Sequence, residues 1–225
     1  MPHEAVESKF VATEEKGEVS SLLIRPPEAR WLLVLGHGAG ANMRHRTLET
    51  IAQRLADAGM ATFRYQFPYM ERGGGGRDSR AVTLATVRAA VAAAHAAAPD
   101  LALLAGGHSF SGRMTSTAAA EAPLASVRGL VFFAFPLHPP GRPGTERADH
   151  LRDVSVPMLF LSGTRDKLAD LKLLQPVCES LHDRATLHLL DTADHGYKIL
   201  KRTRQSKEDV FVEMARVVKT WAGGF

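Results

Sequence analysis

The sequence predicts an α/β fold in which helices cover both faces of a mostly parallel central sheet. Short apolar runs of strand length alternate with longer segments of helical periodicity along the chain. Several of these runs, such as residues 31–35, are continuously apolar, which is typical of parallel strands buried on both faces. No linker, repeat or shift in composition divides the 225 residues. We therefore expect a single domain over residues 1–225.

The strands are predicted from apolar runs bounded by glycine, proline or polar residues. The first two runs flank Gly17 and predict an antiparallel hairpin, whereas helical segments separate the later runs and predict parallel strands. In chain order, the predicted strands are residues 10–13, 19–24, 31–35, 61–67, 101–105, 130–135, 158–161 and 186–190.

The helices are predicted from apolar periodicity and from the residues that end them. The first places Leu48, Ile51 and Leu55 on one face and ends at Gly59. The second is rich in alanine and ends at Pro99. In chain order, the predicted helices are residues 47–58, 79–98, 112–122, 170–182 and 207–221.

The longest irregular stretch, residues 136–156, contains four prolines and is followed by Pro157. Its place between two predicted strands fits either a lid or pocket wall, or a plain surface crossover. No insertion is large enough to form a separate cap domain. We therefore expect little or no cap and an open pocket.

Composition and charge exclude several classes of protein. Hydrophobic residues make up 45% and charged residues 23%, as in globular chains. Cys178 is the only cysteine, which excludes a disulfide scaffold and fits a reducing compartment. No apolar run is long enough for a membrane span, and residues 1–9 lack the apolar core of a secretory signal. We expect a cytoplasmic protein without a membrane partner, and a net charge of +4 gives no reason to expect nucleic acid.

A candidate nucleophile lies in residues 106–112, Gly-Gly-His-Ser-Phe-Ser-Gly, between a predicted strand and a predicted helix. A serine on such a sharp turn needs small residues two positions before and after it. Around Ser109, Gly107 meets this need, while Ser111 stands where glycine is usual. The pattern predicts a nucleophile elbow with Ser109 at its tip, and the alternative is an ordinary structural turn.

A nucleophilic serine needs a base, and the base needs an acid to orient it. Where an elbow serine is used, the acid and then the histidine follow it in sequence, each after a later strand. Asp166 follows the predicted strand 158–161, and His195 follows the predicted strand 186–190. Each residue alone fits a structural role, as a helix cap or a loop histidine. In this order after Ser109, they predict a catalytic triad.

The loop of residues 36–41, Gly-His-Gly-Ala-Gly-Ala, follows an earlier predicted strand and consists mostly of small residues. Small residues let peptide N–H groups approach the carbonyl oxygen of a substrate. We assign the oxyanion donors as the N–H groups of Phe110 and Ala39, with Gly40 as the alternative to Ala39.

These segments resemble the α/β-hydrolase fold and, within it, the dienelactone hydrolase-like group. The chain is most similar to small, cap-poor bacterial proteins related to the testis-expressed and histone-acetyltransferase-complex hydrolase-like proteins. Some eukaryotic members of that group look like scaffolds. Dienelactone hydrolase itself carries a cysteine at the elbow, where this chain has Ser109, so dienelactone chemistry is not carried over. The resemblance rests on residues 37–40, 67–71, 107–113, 136–141, 163–166 and 194–195.

Motifs for binding nucleotides, phosphates and metal ions match the sequence less well. The pattern Gly36-x-Gly38-x-x-Ala41 loosely matches a dinucleotide fingerprint, but the next strand supplies no acid for the ribose. The glycines of residues 73–76 lack the Gly-Lys-Ser/Thr ending of a phosphate-binding loop. The ten histidines show no spacing typical of metal ligands. We therefore expect neither a cofactor nor a metal.

Two groups of residues are candidates for substrate binding. His37, His108, Tyr69 and His138 are taken as pocket residues, although residues 67–70 fit the core equally well. A basic run follows His195 and is interpreted either as a solvated face or as a patch that steers anionic substrates. The run consists of Lys198, Lys201, Arg202, Arg204 and Lys207.

The sequence thus predicts a serine hydrolase that cleaves a small ester or thioester through an acyl-enzyme, as a carboxylesterase does. The alternative is a catalytically silent protein of the same fold that binds a protein or an anionic partner. The natural substrate, the acyl chain length, the leaving group and the oligomeric state stay open.

Overall fold

Eight strands form one sheet in the spatial order β1-β2-β4-β3-β5-β6-β7-β8 in the computed structural model, which describes residues 2–225. The first two strands pair antiparallel around Gly17, whose positive φ of 71° closes the hairpin. β2 pairs antiparallel with β4, and every later pairing is parallel. The strands are β1 (Val6–Thr13), β2 (Gly17–Ile24), β3 (Trp31–Gly36), β4 (Ala61–Tyr65), β5 (Ala102–His108), β6 (Val127–Phe133), β7 (Met158–Gly163) and β8 (Ala185–Leu190).

Helices cover both faces of this sheet, because successive side chains of a buried strand point to opposite sides. In β3, Leu32 and Val34 join the core beneath α3, α4 and α5, whereas Leu33 and Leu35 join the core beneath α1 and α6. The predicted fold class is therefore confirmed, and no separate cap domain is evident in residues 2–225. The helices are α1 (Arg46–Asp57), α2 (Pro68–Glu71), α3 (Arg80–Ala97), α4 (Phe110–Glu121), α5 (Leu171–Ser180) and α6 (Val210–Ala222), with 3₁₀ helices at Glu146–Asp153 and His182–Arg184.

Two element boundaries near the candidate site differ from the prediction. The strand expected over residues 61–67 ends at Tyr65, because Pro68 starts the short helix α2. The helix expected over residues 112–122 begins at Phe110, directly after Ser109. β5 runs to His108, so a single residue separates the strand from the helix.

The proline-rich stretch of residues 136–156 is a packed crossover. Its 3₁₀ helix, Glu146–Asp153, contacts α4 and contributes Ala148 and Leu151 to the core. The stretch does not line the cavity beside His195 described below. Among the described residues, no helix is both long and apolar enough to cross a bilayer.

Candidate active site

Ser109 lies at the strand-to-helix junction in a strained backbone conformation, with φ of 53° and ψ of −110°. For a residue with a side chain, such a conformation costs on the order of 1–3 kcal/mol and persists only where neighbouring structure enforces it. Here the N–H of Ser109 donates to the carbonyl of Phe133 at 2.8 Å, and its carbonyl begins α4 by accepting from Arg113 N–H. The side chain is only partly buried, at the carboxyl edge of the parallel strands.

Ser111 fits where glycine is usual because its neighbours lack side chains. A Cβ at Gly36 would lie 2.5 Å from the Cβ of Ser111, and a Cβ at Gly107 would lie 2.1 Å from its Oγ. Ser111 is fully buried, and its hydroxyl donates to the His108 carbonyl at 3.2 Å. The departure from the elbow pattern is thus accommodated by glycine at 36 and 107.

Ser109, His195 and Asp166 form a continuous hydrogen-bonded chain. The Oγ of Ser109 lies 2.9 Å from Nε2 of His195, and Nδ1 of His195 lies 2.8 Å from Oδ2 of Asp166. The Asp166 side chain is fully buried, and its Oδ1 accepts from Leu168 N–H at 2.8 Å. Because the carboxylate only accepts hydrogen bonds, Nδ1 of His195 is the donor and Nε2 is left to accept from Ser109.

The loops that carry Asp166 and His195 are fastened to each other beyond the ends of β7 and β8. Gly163 permits this contact, because a Cβ there would lie 2.3 Å from the carbonyl oxygen of Ala193. That carbonyl accepts from Arg165 N–H at 2.9 Å. The Oδ1 of Asp194 accepts from two later N–H groups, at Gly196 and Lys198, and folds the chain into a tight turn around His195.

The turn of residues 38–41, hereafter the 38–41 turn, is closed by a hydrogen bond of 3.1 Å from Ala41 N–H to the Gly38 carbonyl. Within residues 2–225, the N–H groups of Ala39 and Gly40 have no acceptor. The N–H of Phe110 is free of an intrahelical acceptor because it is the first of α4. The three predicted oxyanion donors therefore share one property, an N–H group that is not used by the hydrogen bonds of the described backbone.

Two buried side chains hold the 38–41 turn from behind. His37 donates from Nδ1 to the Gly38 carbonyl at 2.8 Å, and its Nε2 accepts from Phe67 N–H at 3.1 Å. The hydroxyl of Tyr69 donates to the Ala39 carbonyl at 2.9 Å. Burial lowers the pKa of His37 to about 4, so the ring is neutral at pH 7 and can accept at Nε2.

His108 supports the other side of the site. Its Nε2 lies 3.1 Å from the His195 carbonyl, to which it donates, and the two rings lie 5.5 Å apart. Burial, and then the neighbouring His195, lower the pKa of His108 to about 4. A neutral His108 therefore holds the backbone of His195 without adding a charge beside its ring.

The structure corrects the expected pocket. His37 and Tyr69 are each 1% exposed and His138 is 3% exposed, so these side chains do not line it. His138 instead joins two loops, since its Nδ1 donates to the Pro139 carbonyl and its Nε2 accepts from Asp170 N–H. Only His108 among the four candidates keeps partial exposure.

A cavity of about 910 Å³ lies beside His195, and its walls are rich in charge. Sequence reasoning missed most of these residues, because they come from α1, from the loops after β7 and β8 and from the start of α6. Of the basic run, only Lys198 lines the cavity, whereas Arg204 is buried in an ion pair with Glu213. The lining residues are Arg46, Thr47, Thr50, Arg54, Arg165, Lys167, Asp194, His195, Gly196, Tyr197, Lys198, Asp209 and Phe211.

Other reactive groups lie elsewhere. Cys178 is buried in α5, where burial raises the pKa of its thiol to about 12, so it is not a nucleophile at neutral pH. In the described part of the chain, no three His, Cys, Asp or Glu residues cluster in a way that could hold a metal ion.

Comparison with known proteins places this architecture in a family. Residues 29–223 match the family model described as alpha/beta hydrolase domain, and the chain belongs to that family. Membership supports hydrolase activity.

Solved structures agree on the fold, at identities of 20% or less. A dienelactone hydrolase from Anabaena variabilis is 18% identical, covers 100% of this chain and 99% of its own, and has a TM-score of 0.75. An α/β serine hydrolase without lid from Xanthomonas campestris is 20% identical, with coverage of 98% and 96% and a TM-score of 0.73. Est1E from Butyrivibrio proteoclasticus is 15% identical, with coverage of 97% and 98% and a TM-score of 0.70. The predicted α/β-hydrolase fold is thus confirmed.

Proposed function

We propose that this alpha/beta hydrolase is a serine esterase that cleaves small esters or thioesters through an acyl-enzyme. The observation that carries the proposal is the hydrogen-bonded chain from Ser109 through His195 to the buried Asp166, with distances of 2.9 and 2.8 Å. Both distances are hydrogen-bond lengths, and the His195 imidazole has the tautomer that general-base activation of a serine requires. The strained backbone of Ser109 adds support, because such strain concentrates at functional sites.

In the acylation step, the Oγ of Ser109 attacks the carbonyl carbon of the ester while Nε2 of His195 takes the hydroxyl proton. The carbonyl π electrons move onto oxygen, and the N–H groups of Phe110 and Ala39, or Gly40, stabilise that oxyanion. As the oxyanion collapses, the bond to the leaving oxygen breaks and His195 gives the proton to it. Asp166 stabilises the imidazolium that exists between these two transfers.

Deacylation repeats the sequence with water as the nucleophile. His195 takes a proton from water as its oxygen attacks the acyl carbon, and the bond to Oγ then breaks. The proton returns from His195 to Ser109, so the acid is released and the enzyme is regenerated. Neither Cys178 nor a metal ion is needed for this route.

The test is labelling with a fluorophosphonate probe, which reacts with activated serines. Wild type should be labelled, whereas Ser109→Ala and His195→Ala should not. In both variants, kcat for hydrolysis of aryl acetates should fall by a factor of roughly 10⁴ to 10⁶ relative to wild type. Ser180→Ala serves as the matched control, because Ser180 is an exposed serine on α5 that does not line the cavity beside His195. Thermal unfolding of each variant is measured to check that the fold is retained.

Folded wild type that neither takes up the probe nor hydrolyses aryl acetates would contradict the proposal. That result would favour the silent binding protein of the same fold. Equal labelling of wild type and Ser109→Ala would contradict the choice of nucleophile.

A further inference from the structure

We propose that the cavity beside His195 binds the leaving group of the substrate, and that this leaving group carries a carboxylate or phosphate. The inference rests on the proposed esterase function for the identity of the bond that is cleaved. It adds the substrate class, which neither the family nor the triad specifies. We call the residues Arg46, Arg54, Arg165, Lys167 and Lys198 the cavity cations.

The cavity wall concentrates positive charge. Five of its thirteen residues are cationic and two are anionic, which gives a formal excess of three charges on this one wall. The whole chain has an excess of only four. Charges of one sign around a concave surface raise the local concentration of ligands of the opposite sign.

Four of the cavity cations have no carboxylate partner. Arg54 lies 3.0 Å from Asp57, but within residues 2–225 no carboxylate lies within 4.0 Å of the charged nitrogens of the other four. Arg165 donates to the Thr192 carbonyl, which leaves its charge unneutralised. Arg46, Lys167 and Lys198 are exposed and make no side-chain hydrogen bond to the described residues.

The two acids of the wall compensate only two of the five positive charges, and neither acid forms an ion pair with a cavity cation among the described residues. One oxygen of each acid accepts hydrogen bonds from the backbone. Oδ1 of Asp194 accepts from the N–H groups of Gly196 and Lys198. Oδ1 of Asp209 caps α6 by accepting from Phe211 and Val212 N–H. Their roles are those of a turn residue and a helix cap.

The chemistry of the triad decides which part of the substrate occupies the cavity. During acylation, the proton from Ser109 passes through Nε2 of His195 to the leaving oxygen or sulfur as its bond to the acyl carbon breaks. The leaving atom must therefore lie within hydrogen-bond reach of His195, which lines the cavity. In the proposed mechanism the oxyanion is bound by the N–H groups of Phe110 and of Ala39 or Gly40, none of which lines the cavity. The cavity cations therefore act on the alcohol or thiol portion.

Arginine and lysine side chains recognise carboxylate and phosphate oxygens by charge-assisted hydrogen bonds. The cavity volume of about 910 Å³ is within the range of small-molecule sites. Because the cations are exposed, each pair with the ligand should contribute modestly and should weaken as salt is added.

The first experiment measures binding in the Ser109→Ala protein, so that it does not depend on turnover. The protein is titrated separately with phenyl phosphate, with benzoate and with benzyl alcohol, which is the neutral probe. We expect at least one anion to bind, and Lys167→Gln with Lys198→Gln to weaken it roughly three- to tenfold. Lys201→Gln is the matched control, since Lys201 is an exposed lysine of the same segment outside the cavity.

The second experiment compares kcat/KM for 4-acetoxybenzoate, 4-acetoxyphenyl phosphate and neutral 4-acetoxybenzamide, each divided by its rate of hydroxide hydrolysis. Wild type should prefer an anionic ester, mainly through KM, and the double variant should lose most of that preference. The Lys201→Gln control should keep it, and 0.5 M NaCl should reduce it. The two anionic esters distinguish a carboxylate leaving group from a phosphate one.

The outcomes separate this inference from the proposed function. Probe labelling and ester hydrolysis without any anion preference would leave the esterase proposal standing and overturn the inference. A preference that survives in the double variant would overturn it as well. Failure of probe labelling would count against the esterase, and failure of the two anions to bind in the first experiment would count against the anion site alone.

Discussion

The 38–41 turn and the cavity beside His195 are built in opposite ways. The 38–41 turn is held by His37 and Tyr69, two side chains that are each 1% exposed and have their hydrogen bonds satisfied inside the protein. In contrast, the cavity cations are exposed and most of them lack a partner. On the proposed function, this difference separates two tasks: the buried hydrogen bonds fix the atoms that perform the chemistry, and the exposed charges select the leaving group.

Asp166 and Lys167 give the sharpest form of this comparison, because they are neighbours in one loop. The Asp166 side chain is fully buried on His195, whereas Lys167 is exposed in the cavity. Asp166→Asn presents an amide N–H to Nδ1 of His195, which favours the wrong tautomer. We expect kcat to fall by a factor of about 10⁴ for every ester, charged or neutral, in steady-state kinetics.

Lys167→Gln changes charge by one unit at the adjacent position. Its effect should appear in the ratio of kcat/KM between anionic and neutral esters and should be roughly two- to fivefold. Comparable losses of kcat in the two variants would remove the distinction between the buried and the exposed side.

The buried elbow can be broken by adding one methyl group. Gly36→Ala would put a Cβ 2.5 Å from Ser111 and 2.8 Å from the hydroxyl of Tyr65. We expect the free energy of unfolding in urea to fall by about 1–3 kcal/mol, as for other overpacked cores. Adding Ser111→Gly should restore part of that free energy, because it removes the Ser111 Cβ and Oγ at 2.5 and 2.9 Å and leaves only the Tyr65 hydroxyl close to the new methyl group. Strict additivity of the two changes would show that these residues do not share one space.

A smaller effect is expected where the fold is kept and only the 38–41 turn is loosened. Tyr69→Phe removes the hydroxyl that donates to the Ala39 carbonyl. Because loss of an entire oxyanion donor costs about 10²–10³ in turnover, a loosened donor should lower kcat by roughly tenfold, with KM little changed. The loss should be equal for anionic and neutral esters, and a change in their ratio would contradict a purely positioning role.

The sequence was sufficient for features that depend on local pattern. Alternating strands and helices predicted the fold class, and the order of Ser109, Asp166 and His195 predicted residues that the structure brings into contact. The start of α4 was missed by two residues, because glycine and serine at residues 106–112 indicate a loop when a strained turn is not considered.

The pocket was less predictable, for two physical reasons. His37, Tyr69 and His138 were taken as ligand contacts from their residue types, but all three are buried and hold backbone. The cavity, in contrast, joins Arg46 to Lys198, and only the pairing of distant parallel strands brings such positions together. Arg165 and Lys167 were within reach of sequence reasoning, since they flank the predicted acid Asp166 in the sequence.

The exposed cavity cations have a consequence for how this protein could change over evolutionary time or in the laboratory. Lys167 and Lys198 make no side-chain hydrogen bond within residues 2–225, so their replacement disturbs neither the core nor the triad. Surface substitutions outside buried networks usually alter stability by no more than about 0.5 kcal/mol. With the leaving-group role proposed for the cavity, substrate preference can therefore drift, or be redesigned toward neutral or cationic leaving groups, one residue at a time while the proposed triad stays unchanged.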